Sequence, residues 1–360
     1  MSNRELFRVE QLPVFQNMMF STKQEALDCT KGDVVLVQDA TTGLVSNAAF
    51  DAELLVYGAD YQNEQACSTV FKQHLNDVSA IIKRHFHAKT LIEVGCGKGH
   101  FLEHLRQLGY SIQGIDPAYE GASNDIVKAP FEKGLGLSAD GIVLRHVLEH
   151  IQNPVDFLAD IARANGEKGT IYIEVPCFDW ICHHRAWFDV FYEHVNYFRL
   201  ADFEHMFSTL LDSGYLFGGQ YLYVVADLAT LCSPLASQSD AVNFPENFLA
   251  DVQRYATRFG MHGTRGGGQR TIWGGASKGV IFSLYMKRAG AEIDFVIDIN
   301  PAKQGKFLGA SGLRVSAPEE ALPELRTGSE IFVMNSNYLN EVITQSGNRF
   351  NYLTVDQHEL

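Results

Sequence analysis

A turn with three alternating glycines, placed between two short apolar strands, constrains the fold of this chain more than any other feature. Residues 91–94 read as a strand that includes the acid Glu93, and a second strand ends at Asp116. The glycines of the turn are Gly95, Gly97 and Gly99. Glycine lets the backbone pass close to a ligand, and an acid that ends the next strand can hold two ribose hydroxyls. The pattern therefore predicts an α/β domain that binds a nucleoside.

The spacing of this turn distinguishes between two kinds of nucleoside ligand. Dinucleotide sites use the spacing G-x-G-x-x-G and place an anionic pyrophosphate at a helix N-terminus. Here the spacing is G-x-G-x-G, and Glu93 lies two residues before Gly95. A carboxylate in this place would repel a pyrophosphate. It suits a ligand that carries an ammonium and a sulfonium, reached directly or through a water molecule.

A third segment makes the chain similar to a known family. Residues 140–151, with Asn153 and Pro154 behind them, match the fourth-strand segment of the class I S-adenosylmethionine-dependent methyltransferases, which this chain resembles. The resemblance implies S-adenosylmethionine as the cofactor, with Ala129 or Phe131 beside the adenine. The predicted cofactor-binding residues are Glu93, Gly95, Cys96, Gly97, Gly99, Asp116, Pro117, Phe131, Arg145 and His146. The alternative, that the glycines only permit tight packing, does not account for three matching segments in order.

Composition limits the class of protein. With 360 residues, 46% of them hydrophobic and 20% charged, the chain is ordinary for a globular enzyme of more than one domain. The net charge of −14 argues against a nucleic-acid partner, because no basic stripe is available to neutralise phosphates. The six cysteines form no C-x-x-C pair, and no signal peptide or membrane span is recognisable. We expect a reduced cytoplasmic protein without a membrane partner, and the oligomeric state stays open.

The order of strand and helix signals predicts three units. Residues 1–75 read as short strands and turns that form a small N-terminal module. Residues 76–235 alternate strands with helices, which implies a parallel sheet covered by helices on both faces. Residues 236–360 contain a second strand–turn–helix unit. The predicted fold class is therefore α/β, with a Rossmann-like methyltransferase domain, a smaller Rossmann-like C-terminal domain and the N-terminal module.

The second glycine turn leaves two interpretations open on its residues alone. Gly274, Ala276 and Gly279 approximate the dinucleotide fingerprint, and Asp298 ends the following strand. This pattern is compatible with a nicotinamide cofactor and an oxidoreductase, with Lys278 meeting a phosphate at the helix start. The other interpretation is a degenerate unit that packs against the first domain and binds no cofactor.

Residues 297–306, followed by Ser316, narrow this choice because they resemble the C-terminal domain of the sugar C-methyltransferases. These enzymes methylate a carbon of a nucleotide-linked keto-deoxysugar. The resemblance implies that the C-terminal domain helps to form a cleft for a sugar nucleotide and holds no redox cofactor. A methyltransferase that acts on an oxygen or nitrogen of a sugar or another small metabolite remains the alternative function.

The richest polar segment, residues 179–198, follows a predicted strand and so falls at the end of the sheet where open α/β folds bind ligands. Methylation of a carbon beside a ketone needs a base for the α-proton and a donor for the enolate oxygen. Histidine suits the first role, and tyrosine or a second histidine suits the other. The family carries a similar Glu-His-x-x-Tyr-Phe segment with the histidine as base. By this resemblance the catalytic residues are His194, supported by Glu193, with Tyr192 and Tyr197.

The remaining predictions concern the substrate and metals. The candidate substrate-binding residues are Tyr61, Asn63, His183, Arg185 and Lys278. The resembling enzymes begin with a four-cysteine zinc module, but only Cys29 and Cys67 fall in that region here, so a Cys₄ site cannot form. His146 and His150 have a spacing compatible with a metal, yet this region of methyltransferases lines the cofactor or packs the sheet. We therefore predict no metal.

Overall fold

The computed structural model describes residues 3–55, 68–86, 90–136, 138–235, 240–260 and 268–357. Three residues discussed above lie outside this part of the chain, namely Tyr61, Asn63 and Cys67. The strands are β1 (Arg4–Pro13), β2 (Met19–Phe20), β3 (Lys31–Gln38), β4 (Val45–Asn47), β5 (Thr90–Val94), β6 (Ser111–Ile115), β7 (Ile126–Val127), β8 (Gly141–Arg145), β9 (Thr170–Pro176), β10 (Asn196–Tyr197), β11 (Leu210–Leu216), β12 (Tyr221–Asp227), β13 (Arg270–Trp273), β14 (Phe295–Ile297), β15 (Phe307–Leu308), β16 (Val315–Ser316), β17 (Glu330–Val333) and β18 (Asn351–Thr354).

The helices are α1 (Lys23–Leu27), α2 (Thr69–His85), α3 (His100–Gln107), α4 (Pro154–Ala164), α5 (Phe178–His183), α6 (Leu200–Met206), α7 (Ala250–Gly260), α8 (Lys278–Arg288), α9 (Pro318–Ala321) and α10 (Leu339–Gln345). None of these helices, within the residues described, combines the length and the apolar character needed to cross a membrane.

The central sheet confirms the predicted α/β class. Its order is β11-β12-β9-β8-β5-β6-β7, and the five strands from β9 to β7 run parallel. Strand β5 pairs with β6 on one side and with β8 on the other, so the strand order reverses there. In open α/β sheets ligands bind outside the carboxyl ends of the strands at such a reversal. The topology therefore directs a ligand to the glycine turn after β5.

A second parallel sheet lies in the C-terminal part of the chain, in the order β16-β14-β13-β17-β18. Its first strand in sequence, β13, enters the second glycine turn, and α8 follows at once. Here β13 pairs with β14 and with β17, so the strand order reverses at β13 as it does at β5. The second glycine turn therefore occupies the place in this sheet that the first turn occupies in the central sheet.

The N-terminal strands connect these two sheets. The antiparallel sheet β1-β3-β4 is completed by β10, which comes from the segment after β9, and β2 pairs with β15. One apolar core runs through all three regions and includes Leu12, Ile173 and Phe282. Burial of shared apolar surface thus fixes the ends of the two parallel sheets and the N-terminal strands around one cavity.

Candidate functional site

A cavity of about 390 Å³ opens at the carboxyl ends of β5 and β8. Its walls come from all three sheet regions, with Gln16 from the loop after β1, Glu93 from β5, His194 from the segment before β10 and Lys278 from α8. A pocket of this size suits a small-molecule ligand. The site is therefore an internal cleft formed where the sheets meet.

The first glycine turn forms a cradle with an acid beside it. Gly95 and Gly97 both adopt left-handed backbone angles, with φ of +73° and +54°. A Cβ at Gly97 would meet no heavy atom within 4 Å, so the turn leaves open space on this side. The backbone nitrogen of Gly97 donates a 2.7 Å hydrogen bond to Oδ2 of Asp116, which ties the end of β6 to the turn. This geometry suits a ligand that lies close against the backbone.

Glu93 supplies a buried acid with an unused acceptor. The side chain is 3% exposed, and within the described residues its Oε2 has no hydrogen-bond partner. Burial raises the pKa of Glu93 to about 8, Asp116 adds to the increase, and Arg145 opposes it. A buried carboxylate oxygen without a partner is costly. The residue therefore fits a ligand that brings a cation or an N–H donor, as S-adenosylmethionine does.

Glu174 lies at the centre of a buried cluster of charged and polar side chains. His74 Nε2 and His146 Nε2 lie 3.0 and 2.9 Å from its Oε1, and the hydroxyl of Tyr172 donates to its Oε2 at 2.6 Å. Burial by itself would raise the pKa of Glu174, but Arg145 and the two histidines outweigh burial and hold the pKa well below the ordinary value. The cluster thus holds an ionised acid in a site closed to water.

His146 lines the cavity and is positively charged at neutral pH, because its pKa is raised. Burial lowers its pKa, but Glu149 and Glu174 outweigh burial and raise the pKa to about 9. Its backbone is strained, with φ of +52°. Arg145, which donates to Glu174 at 3.2 Å, lines the same part of the cavity. Arg145 and His146 are therefore two cationic groups in the cavity wall. Such groups suit the carboxylate of an amino-acid moiety.

His194 is buried and neutral. Its ring packs edge-on against His150 with centroids 5.0 Å apart, and its Nε2 lies 3.3 Å from the amide nitrogen of Gln16. Burial, followed by the proximity of His150 and His146, lowers the pKa of His194 well below the ordinary value. His194 therefore lines the cavity as an unprotonated ring, the form that can accept a proton.

Glu193 connects to His194 through Gln16. Its Oε2 accepts a 2.8 Å hydrogen bond from the backbone nitrogen of Gln16, whose side chain contacts His194. Its backbone oxygen accepts a 2.9 Å hydrogen bond from Nδ1 of His150. Glu193 thus orients both neighbours of His194 through these two bonds.

The two tyrosines predicted beside His194 do not line the cavity. The hydroxyl of Tyr192 donates to the backbone oxygen of Asp51 and accepts from its nitrogen. The hydroxyl of Tyr197 makes the same pair of bonds with the backbone of Phe191. Both hydroxyls are therefore engaged in fixing loops of the chain.

Of the predicted substrate-binding residues that the structure describes, one lines the cavity and two do not. Lys278 lines the cavity, where its Nζ lies 3.0 Å from Asp189 and donates to Gln220 at 2.8 Å. His183 is exposed, and Arg185 pairs with Asp251 of α7 at 2.8 Å; neither lines the cavity. Of the predicted cofactor residues, the cavity wall contains Glu93, Gly95, Cys96, Gly97, Arg145 and His146 but not Gly99, Asp116, Pro117 or Phe131.

Several cavity residues had no signal in the sequence. Gln16 and Asn17 follow β1 without any motif, and Tyr221 belongs to an otherwise apolar strand. His150 was visible only as a spacing partner of His146. The approach of Gln16 to His194 joins residues 178 positions apart, and local pattern carries no information about such contacts.

Two groups of side chains have the composition of metal ligands. Within the described residues, His74, His146 and Glu174 form one group, and Glu149, His150 and His194 form the other, with donor atoms within 4.8 Å of one another. In the first group the histidines are already in contact with Glu174. That the protein holds no metal stays a prediction.

The acid that follows the second glycine turn, Asp298, is hydrogen-bonded to neighbouring parts of the chain. Asp298 accepts from the backbone nitrogens of Gly275 and Asn300 at 2.9 and 2.8 Å, and Nζ of Lys303 lies 3.2 Å from its Oδ2. A Cβ at Gly279 would lie 2.0 Å from the backbone oxygen of Gly274. The acid is thus already bonded and charge-paired, and a glycine of the turn serves close packing. These contacts favour the interpretation of this turn as a packing unit.

Comparison with known proteins agrees with the geometry of the first turn. Residues 65–210 match a family described as a methyltransferase domain. The chain is 24% identical over 302 residues to the C-methyltransferase NovU of Streptomyces niveus, across 72% of this chain and 71% of that protein. The domain match and the cradle define an S-adenosylmethionine-dependent methyltransferase, and S-adenosylmethionine is its cofactor.

Solved structures give distant similarities. The PH0226 protein of Pyrococcus horikoshii OT3 aligns with a TM-score of 0.37 at 10% identity, over 48% of this chain and 99% of that one. The 1,6-didemethyltoxoflavin-N1-methyltransferase of Burkholderia thailandensis, solved with S-adenosylhomocysteine, aligns with a TM-score of 0.34 at 16% identity, over 44% and 80%.

Proposed function

We propose that this enzyme methylates a carbon next to a ketone in a nucleotide-activated sugar, with His194 as the general base. One observation carries the proposal: a single cavity holds both the glycine cradle of the cofactor and the neutral imidazole of His194. The similarity to NovU, described as a C-methyltransferase, supports a carbon acceptor. The enzyme would then act in carbohydrate biosynthesis.

The polar C-terminal wall of the cavity supports an acceptor larger than the sugar ring alone. Beyond the glycine cradle the cavity reaches Lys278, Asn300 and Asn335 around the second parallel sheet. These side chains offer hydrogen bonds and charge to the nucleotide part of the acceptor. We accordingly propose that residues 1–75, 76–235 and 236–360 act as three units that close on one substrate.

The chain's own groups divide the chemistry between two ends of the cavity. When bound, S-adenosylmethionine supplies an electrophilic methyl group. Glu93, Asp116 and the glycine turn hold this cofactor at one end, and His146 faces its carboxylate. At the other end, the imidazole of His194 accepts the α-proton of the acceptor. Because His194 is neutral at physiological pH, it is ready to take that proton without first losing one.

The test is product analysis with a defined acceptor. Purified enzyme, S-adenosylmethionine and thymidine diphosphate 4-keto-6-deoxyglucose should give a methyl signal on carbon in the NMR spectrum. His194→Gln should abolish the product and still bind S-adenosylhomocysteine, whereas the exposed His183→Gln serves as the matched control and should behave as wild type. A methyl signal on oxygen or nitrogen, or full activity in His194→Gln, would overturn the proposal.

A further inference from the structure

S-adenosylmethionine ends in an α-amino acid, whose ammonium and carboxylate leave the same carbon atom. A site for this end of the cofactor needs an acid and a cation side by side. In the cavity wall, burial raises the pKa of Glu93, and Arg145 lies close enough to oppose this increase. The pair of Glu93 and Arg145 therefore matches the two charges of the amino-acid end.

Strand register places a second acid beside Arg145. Glu93 of β5 lies opposite Val143 of β8, and Arg145 at the end of β8 lies opposite Glu174 of β9. Side chains two residues apart in a strand share a face of the sheet, so Glu93, Arg145 and Glu174 all project to the same side. Glu174 is thus the acid that the fold sets directly next to the guanidinium.

The guanidinium of Arg145 is fixed from two directions and keeps a donor. Its Nη2 donates to Oε1 of Glu174 at 3.2 Å, and its Cζ lies 4.5 Å from the ring centroid of Phe101. The side chain is 9% exposed, and its Nε has no hydrogen-bond partner in the described part of the chain. A buried N–H without a partner is costly. Arg145 therefore has an N–H to offer a ligand in the cavity that it lines.

Glu174 itself is shielded from such a ligand. Its side chain is fully buried and does not line the cavity. Its Oε2 accepts from Tyr172, and its Oε1 lies within 3.2 Å of nitrogens of His74, Arg145 and His146. Burial alone would raise the pKa of Glu174, but these three neighbours outweigh burial and hold the pKa well below the ordinary value. The acid is therefore ionised, held in place and covered by its partners.

We infer that Glu174 is a positioning residue that holds the guanidinium of Arg145 against the carboxylate of S-adenosylmethionine, an inference that rests on the cofactor-binding part of the function proposed above. An arginine side chain loses much conformational freedom when it is ordered. Glu174 orders Arg145 before the ligand arrives, so the ligand does not bear this cost. Removal of Glu174 should thus weaken binding of the carboxylate and of no other part of the cofactor.

Two forms of the cofactor that differ only in the carboxylate test this role. The full-length protein is titrated calorimetrically with S-adenosylmethionine and with decarboxylated S-adenosylmethionine, without any acceptor. Glu174→Met keeps the length of the side chain but removes both oxygens. Glu330→Met is the matched control, because Glu330 is also a strand residue paired with cations, Arg258 and Arg270, and does not line the cavity.

We expect the wild type and Glu330→Met to bind S-adenosylmethionine ~10- to 100-fold more tightly than the decarboxylated form, as a charged hydrogen bond provides. Glu174→Met should bind the two forms with affinities within threefold of each other, and its affinity for the decarboxylated form should equal that of the wild type.

A preference that persists in folded Glu174→Met would overturn the role of Glu174 and assign the carboxylate to another cation of the wall, such as Lys98. Equal affinities for the two forms in the wild type would overturn it as well. If Glu174→Met does not fold, Glu174→Gln, which removes only the charge, decides by the same criteria. Because these titrations contain no acceptor, the product analysis described above separately decides the reaction proposed for His194.

Discussion

Oδ2 of Asp116 accepts a 2.7 Å hydrogen bond from the backbone nitrogen of Gly97, so the acid that ends β6 and the turn that follows β5 form one rim. Its Oδ1 accepts from Ala118 at 2.8 Å. Asp298 repeats both bonds at the second turn, with Gly275 and Asn300, but is also paired with Lys303. Within the described residues Asp116 has no such cation, so its charge stays available to a ligand.

Replacement of Asp116 separates the two turns experimentally. Asp116→Ala removes a charged acceptor, which is worth about 1.5–3 kcal/mol, so the affinity for S-adenosylhomocysteine should fall about 10- to 100-fold. Calorimetric titration measures the affinity. The same change at the second turn, Asp298→Ala, should leave the affinity for S-adenosylhomocysteine unchanged. Equal losses in both variants would show that the acids act only by holding the fold.

The glycines of the first turn differ in what surrounds them. A Cβ at Gly95 would lie 2.2 Å from Cγ2 of Val147, whereas one at Gly97 would meet nothing within 4 Å. Gly97→Ala should therefore fold with a stability loss of about 1–2 kcal/mol from its positive φ, yet bind S-adenosylhomocysteine poorly. Gly95→Ala should lose more stability, because it adds the clash. Urea unfolding compares the stability of the two variants, and calorimetric titration compares their affinity for S-adenosylhomocysteine. Normal binding by Gly97→Ala would show that the ligand does not lie against this turn.

The sequence predicted what depends on local chemistry. Positive φ at Gly95, Gly97 and Gly99, with apolar runs on both sides, specifies a strand, a turn and a helix wherever they occur in the fold. The reversal of strand order at β5 then brings the turn to the ligand-binding edge of the sheet. For these reasons six of the ten residues predicted for the cofactor lie in the cavity wall, and their role in binding stays a prediction.

The acceptor end of the cavity could not be predicted from local pattern, because tertiary packing decides which side chains reach it. The hydroxyl of Tyr197 turns back to Phe191, and the carboxylate of Glu193 reaches Gln16 rather than its sequence neighbour His194. Both directions depend on where β1 and β10 lie, and no periodicity encodes this. A motif can identify a segment that carries chemistry, whereas the contacts of its side chains follow from the whole fold.

Tyr197 should act on stability and not on catalysis. Tyr197→Phe leaves the buried N–H and C=O of Phe191 without their side-chain partner, at a cost of about 1–3 kcal/mol in the free energy of unfolding. Urea unfolding should show this loss, while Tyr215→Phe, at an exposed position, should show none. If Tyr197→Phe folds but no longer methylates its acceptor, Tyr197 takes part in the reaction and the expectation is wrong.

The raised pKa of Glu93 makes the stability of the ligand-free protein depend on pH. Burial holds the pKa near 8 in the folded protein, against 4.5 for a free side chain. Between these values the folded state keeps a proton that the unfolded chain has lost. The free energy of unfolding should therefore decrease by about 1.4 kcal/mol per pH unit over this range. Glu93→Gln should remove this decrease and gain stability relative to wild type from pH 5 to 8, as urea unfolding can measure.

Binding of the cofactor should show the opposite dependence. If Glu93 receives a cationic group, only its ionised form binds well, so the affinity for S-adenosylhomocysteine should increase with pH up to about 8, by at most tenfold per unit, and then level off. At pH 7 binding should release a proton, which titration in buffers of different ionisation enthalpy detects. In Glu93→Gln the affinity should be lower and the proton release should vanish. Proton release that persists in this variant would assign the titration to another group, and Glu93 would then bind the ligand as a neutral donor.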